Sequence, residues 1–118
     1  MGYLTTHILD TTKGIAAENV AIRLFQHTNT GQRQLIHTTI SNHDGRCDSP
    51  LLEGSAFIAG VYELEFDIDA YFANQGIELE EPNFLNTVVI RFGIHDESTH
   101  YHIPLLVSPY SYSTYRGS

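Results

Sequence analysis

The feature that most constrains the fold of this chain is strict period-two alternation in two stretches. Tyr62, Leu64, Phe66 and Ile68 alternate with Val61, Glu63, Glu65 and Asp67, and Val88, Ile90, Phe92 and Ile94 alternate with Thr87, Val89, Arg91 and Gly93. Successive side chains of a strand point to opposite faces, so each stretch reads as a half-buried, antiparallel-type strand with its apolar side inward. Further short apolar runs lie at residues 4–9, 20–26, 35–40, 100–107 and 110–115, separated by turn chemistry such as Lys13-Gly14, Thr30-Gly31 and Asp44-Gly45. Seven or eight strands at this spacing define an all-β sandwich.

Between the two clear strands, residues 69–75 read as one short helix, with Asp69 as N-cap, Tyr71 and Phe72 as packing residues and Gly76 as the stop. Pro104 and Pro109 interrupt the last apolar stretch, and because proline cannot donate to a ladder they imply a bend, a bulge or an edge.

A chain of 118 residues, 42% hydrophobic and only 17% charged, is long enough to bury one core and too apolar for disorder. Without a repeat, low-complexity segment or linker-like stretch, residues 1–118 read as a single domain. The formal charge of −8, with no lysine and arginine cluster, argues against nucleic acid as a partner. No apolar run is long enough to span a membrane, and the first twelve residues lack the pattern of a secretory signal, so a cytoplasmic location is the expectation. One cysteine, Cys47, excludes an internal disulfide. With no activating neighbour in sequence, it reads as a small buried hydrophobe.

The ionisable chemistry concentrates near the carboxyl end, in "HYHIPLLVSPYSYSTYRGS". His100 and His102 stand two apart in a predicted strand and so share a face, which suits a metal, a substrate, or two histidines bonded to their neighbours. A zinc site would need further ligands from His7, His95 or an acid, and no second short-spaced pair accompanies this one. His7, in an apolar run, reads either as a hydrogen-bonded strand histidine or as a functional one. Arg46 follows "NHDG", a turn that would launch a strand, where arginine is usually solvated. Alternation puts Tyr110 and Tyr112 on one face and Tyr115 on the other.

Taken together, "LTTHILDTTKG" at residues 4–14, "DGR" at 44–46, the segment from His100 onward and above all the closing "YRGS" resemble the 5-hydroxyisourate hydrolases, the transthyretin-related enzymes of urate breakdown. The resemblance spans the whole chain. It implies a transthyretin-like sandwich of eight strands with one short helix, assembled as a homotetramer, a dimer of dimers with sites where subunits meet. The carboxyl end would then be buried against another subunit. The catalytic set implied is His7, Arg46, His102 and Ser118, with Tyr115 joining His7 and Arg46 in binding substrate and His100 in a supporting place. No metal and no cofactor are implied. One departure is visible: Gly14-Ile15-Ala16-Ala17 stands where the family often has Gly-x-Pro-Ala, a change of loop stiffness more than of chemistry.

The reaction so implied opens the 5-hydroxyisourate ring by hydrolysing a cyclic amide. His7 and His102 would orient water and accept its proton, Arg46 would polarise the carbonyl, and Ser118 with its carboxylate would hold a histidine in the productive tautomer. The rival is a transthyretin-like protein that binds or carries a small ligand without catalysis. A carrier of apolar ligands would want small apolar groups where this chain has two histidines and an arginine.

Overall fold

The computed structural model describes residues 2–117. Two four-stranded sheets face each other. The first has the order β2-β1-β7-β8, built from Leu4–Asp10 (β1), Ile15–Ala16 (β2), Tyr101–Val107 (β7) and Tyr112–Thr114 (β8). The second has the order β4-β3-β5-β6, built from Ala21–His27 (β3), Arg33–Ile40 (β4), Gly60–Asp67 (β5) and Thr87–Ile94 (β6).

The alternation that defined the fold class also sets the core. Tyr62, Leu64 and Phe66 of β5 are fully buried, and Val88, Ile90 and Ile94 of β6 join them. Leu4 and Ile8 of β1 and Leu105 of β7 close the core from the opposite sheet. β5 and β6 pair antiparallel without a register shift. On the outer face of β5 the acids are tied into a grid: Arg23 binds Glu65 and Asp67, while Glu63 accepts from Arg33 and Arg91 and bonds His27.

The helix α1 spans Ile68–Asn74, one residue earlier at each end than the sequence suggests. Asp67 occupies its N-cap position without capping it, because both carboxylate oxygens are engaged by the Arg23 guanidinium at 2.7 and 2.6 Å. Tyr71 and Phe72 pack inward as anticipated, and the Tyr71 hydroxyl donates 2.8 Å to the fully buried Asp10 carboxylate at the end of β1.

Three strand expectations need correction. β2 escaped notice because two residues are too short to show a period. The run at 110–115 contracts to Tyr112–Thr114, since a turn closed by the Ser108 N–H donating to the Ser111 carbonyl consumes Tyr110. Pro104 is neither bend nor edge: it lies inside β7, a central strand paired parallel to β1. A residue's N–H and C=O point to the same side of its strand. The Pro104 carbonyl accepts from the Thr114 hydroxyl on the β8 side, so its missing donor faces β8 just past the last ladder pair, and the β1 ladder loses nothing.

Candidate active site

The site is built on the outer face of the first sheet by the parallel pairing of β1 with β7. In that register Thr5 lies beside His102 and His7 beside Pro104, and alternation turns Thr5, His7 and His102 outward, each half-buried. The rings of His7 and His102 stand 6.5 Å apart, centroid to centroid, at 34°. Residues 97 apart in sequence thus share a bond: Thr5 Oγ1 and His102 Nδ1 are 2.8 Å apart.

The chain after β8 continues the same alignment along β7. The Gly117 N–H donates 2.7 Å to the His102 carbonyl, and His102 and Gly117 form an antiparallel bridge in the register of Leu105 with Thr114. That register sets Tyr115 opposite Pro104, in the row of His7, with its ring exposed. Gly117 is pressed against the imidazole; a Cβ there would come within 2.7 Å of His102 Cδ2. Arg116 turns the other way and lies 4.1 Å over the ring of Tyr101. Ser118 lies outside the described residues.

Arg46 reaches this face from a loop, and no strand follows it, contrary to the sequence expectation. The Asn42 side chain accepts from the Asp44 and Arg46 N–H groups, and the Asn42 N–H donates 2.7 Å to the Arg46 carbonyl, which closes the loop on itself. Gly45, at φ +75°, sits against β1 so closely that a Cβ would meet the Ile8 carbonyl at 2.4 Å, while its own carbonyl accepts from the Ile8 N–H. Glycine is required there both for the positive φ and for the close approach. The turn is thereby docked one residue from His7.

Electrostatics follow from this arrangement. Burial, and then the Arg46 charge, hold the His7 pKa below the ordinary histidine value of 6.5, partly offset by a hydrogen bond with the Asp44 backbone and by the Asp44 charge. The same two causes lower His102, with His7 adding a little. Both imidazoles are therefore neutral at neutral pH, the state that accepts a proton. Burial pushes the Cys47 thiol up, in keeping with a structural cysteine.

Arg46 and Thr5 also line a recess of about 210 Å³ with Tyr3, Thr6, Cys47 and Ser49. A more apolar cavity of about 240 Å³ at the β6 and β8 edges is lined by Ile90, Phe92, Ile103, Tyr115 and Arg116; of the predicted site residues it touches Tyr115, but not His7, Arg46 or His102. His100 precedes β7 and its ring lies 3.8 Å from that of Tyr3, tilted by 42°, at the far end of the same face. Among the described residues no three histidine, cysteine or acidic side chains come together as a metal site. Sequence reasoning missed Thr5 and Gly117, whose importance appears only through the β1 and β7 pairing and the return of the tail.

Two four-stranded sheets with one short helix, carrying polar and ionisable groups on the outer face of one sheet, define a transthyretin-like sandwich. Residues 4–117 match the model of the HIUase/Transthyretin family, and the chain belongs to that family. It is 55% identical to the 5-hydroxyisourate hydrolase of Ralstonia nicotianae over 118 residues, covering 100% of both chains. Among solved structures it superposes on (S)-allantoin synthase with a TM-score of 0.93 at 44% identity, covering 99% of this chain but only 44% of that longer one. Sea bream transthyretin in complex with thyroxine gives a TM-score of 0.87 at 36% identity, covering 97% of this chain and 93% of that one.

Proposed function

We propose that this protein hydrolyses 5-hydroxyisourate, opening its ring to 2-oxo-4-hydroxy-4-carboxy-5-ureidoimidazoline in urate catabolism. The observation that carries the reading is the convergence of His7, His102 and Arg46 on one sheet face, in a chain 55% identical end to end to a hydrolase of that name.

In this scheme a neutral imidazole of the His7 and His102 pair takes a proton from water as the oxygen attacks the cyclic amide carbonyl. Such general base catalysis contributes about 10²- to 10⁴-fold. The carbonyl oxygen becomes an oxyanion, which Arg46, planar and permanently charged, stabilises beside the sheet. The C–N bond then breaks and the proton passes from imidazole to the departing nitrogen. Tyr115 borders the substrate from the row of His7. Ser118 follows Gly117, which bridges to His102 through the backbone, and this adjacency supports a role for its hydroxyl in orienting a histidine. The groups in this scheme require neither metal nor cofactor.

The reading extends to a single domain over 1–118 acting in the cytoplasm as a homotetramer, a dimer of dimers. Supporting assembly, β8 is an edge strand, and Tyr112 within it and Tyr110 and Tyr115 on either side are exposed, aromatic area that a second copy would cover. No helix is long and apolar enough to cross a membrane.

The likeness to a thyroxine-bound transthyretin favours the carrier reading; the cationic and imidazole chemistry of the face favours hydrolysis. The deciding experiment generates 5-hydroxyisourate in situ with urate oxidase and follows its ultraviolet absorbance. Decay faster than in buffer, unaffected by a chelator, supports the proposal. Decay at the buffer rate together with thyroxine binding would replace it with the carrier.

A further inference from the structure

We propose that Thr5 is a positioning residue for His102: its hydroxyl accepts the His102 Nδ1–H and so presents Nε2 as the basic nitrogen. The inference rests on the hydrolytic reading above and deepens it by naming the group that sets the tautomer.

The two threonines of "LTTH" have separate tasks. The Thr6 side chain points inward, is buried, and donates 2.7 Å to the Ile103 carbonyl, which fastens β1 to β7. Thr5 points outward, and the partner found for its hydroxyl is an imidazole nitrogen of the neighbouring strand, 2.8 Å away. A hydroxyl used only for strand cohesion would bond a backbone group, as that of Thr6 does. Thr5 also lines the recess it shares with Arg46, so it stands between the imidazole and the space beside the guanidinium.

The ring has few choices once this bond is made. Gly117 closes on its opposite side, with the backbone hydrogen bond at 2.7 Å and no room for a Cβ. Among the described residues Nε2 has no hydrogen-bond partner, and with Nδ1 on Thr5 it is the nitrogen assigned to the base. When Nδ1 carries the proton, Nε2 has the lone pair that a base needs; when the tautomer is reversed, Nε2 carries a hydrogen and accepts nothing. The Thr5 oxygen accepts from Nδ1–H both before and after Nε2 gains a proton, so the bond survives the catalytic cycle. A carboxylate in its place would also hold the tautomer, but its charge would favour the imidazolium and tie up the base as acid. A neutral acceptor orients without that cost.

The test compares wild type, Thr5→Val and Thr5→Ser in two assays. In the first, kcat and KM for 5-hydroxyisourate are measured across pH. In the second, the ¹⁵N shifts of the His102 ring report its tautomer in the substrate-free protein. Thr5→Val keeps the shape and removes the acceptor. It is expected to lower kcat about tenfold, the worth of one net hydrogen bond, with KM within about twofold, and to shift the ring away from the Nδ1–H form. Thr5→Ser should recover most of the loss and the Nδ1–H form. Wild-type kcat and an unchanged tautomer in Thr5→Val would overturn the proposal, as would equal losses in valine and serine, which mark a purely steric role. If wild type fails to hydrolyse the substrate, the functional reading fails, while the ring shifts still decide whether Thr5 sets the tautomer.

Discussion

Gly117 is fixed against His102 by a 2.7 Å hydrogen bond from the glycine N–H to the histidine carbonyl, and the imidazole fills the space a Cβ at Gly117 would need. The chain end is thus part of the wall around His102. This gives the concentration of aromatic and ionisable residues near the carboxyl end a physical basis within one chain, because Gly117 returns to β7 at His102 in the register that β8 sets.

Gly117→Ala should therefore impair catalysis more than folding. The new methyl would fall 2.7 Å from His102 Cδ2, and either the ring or the tail must move. Overpacking of this kind costs about 1–3 kcal/mol when the surroundings are rigid, and less where residues outside the strand ladders can shift. The expectation is a loss of about tenfold or more in kcat, since small misplacements of reacting groups are costly, with the thermal midpoint little changed. Steady-state kinetics beside a melting curve checks it.

Arg46→Gln should remove the charge while leaving the loop closed, because Asn42 holds that loop through backbone groups. Loss of one preorganised group facing an oxyanion costs about 10²- to 10³-fold in kcat. The same substitution should raise the pKa of both imidazoles, since the guanidinium is the second cause lowering each. Kinetics together with histidine titration by NMR measures both effects.

The pH dependence has a definite sign. His7 and His102 both have folded-state pKa values below 6.5, so the reactive neutral forms persist into mildly acidic solution. Activity should be level at neutral pH and fall only as pH drops below 6.5 through the lowered values. Stability follows the same direction. Just below pH 6.5 the unfolded chain binds more protons than the folded one, so the contribution of these groups is complete above 6.5 and is lost as pH falls. A pH series of kcat/KM and of urea midpoints gives both curves.

Tyr71→Phe should destabilise without touching catalysis. The Tyr71 hydroxyl donates to the Asp10 carboxylate, which is fully buried and has the Thr12 N–H on its other oxygen. Removing one partner leaves a buried acceptor short, at about 1–3 kcal/mol. Chemical denaturation should show the loss, and kcat should stay within about twofold of wild type.

The legibility of the fold in the sequence varied with length of signal. β5 and β6 carry eight-residue alternations, and there the strand assignment and the buried face both held. β2 has two residues, which no periodicity can reveal. Pro104 misled because the rule against proline in central strands is about a missing donor, and in β7 that donor would have faced the end of β8 rather than β1. At the candidate site, His7, Arg46 and His102 were singled out only through the family resemblance of the segments that hold them, since locally His7 also reads as a hydrogen-bonded strand histidine and Arg46 as a solvated arginine. Thr5, Gly45 and Gly117 were not, because each matters through a contact made by strand pairing or by the docking of a loop or tail: Thr5 across β1 and β7, Gly45 against Ile8, Gly117 against the imidazole.

His102, brought beside His7 by the parallel pairing of β1 and β7, is the group on which the proposed chemistry turns. The most direct measurement is the decay of enzymatically generated 5-hydroxyisourate with His102→Asn, beside wild type at equal concentration and with circular dichroism to confirm folding. A rate lower by about 10²-fold or more is expected in a folded protein. A folded variant that works at the wild-type rate would contradict it.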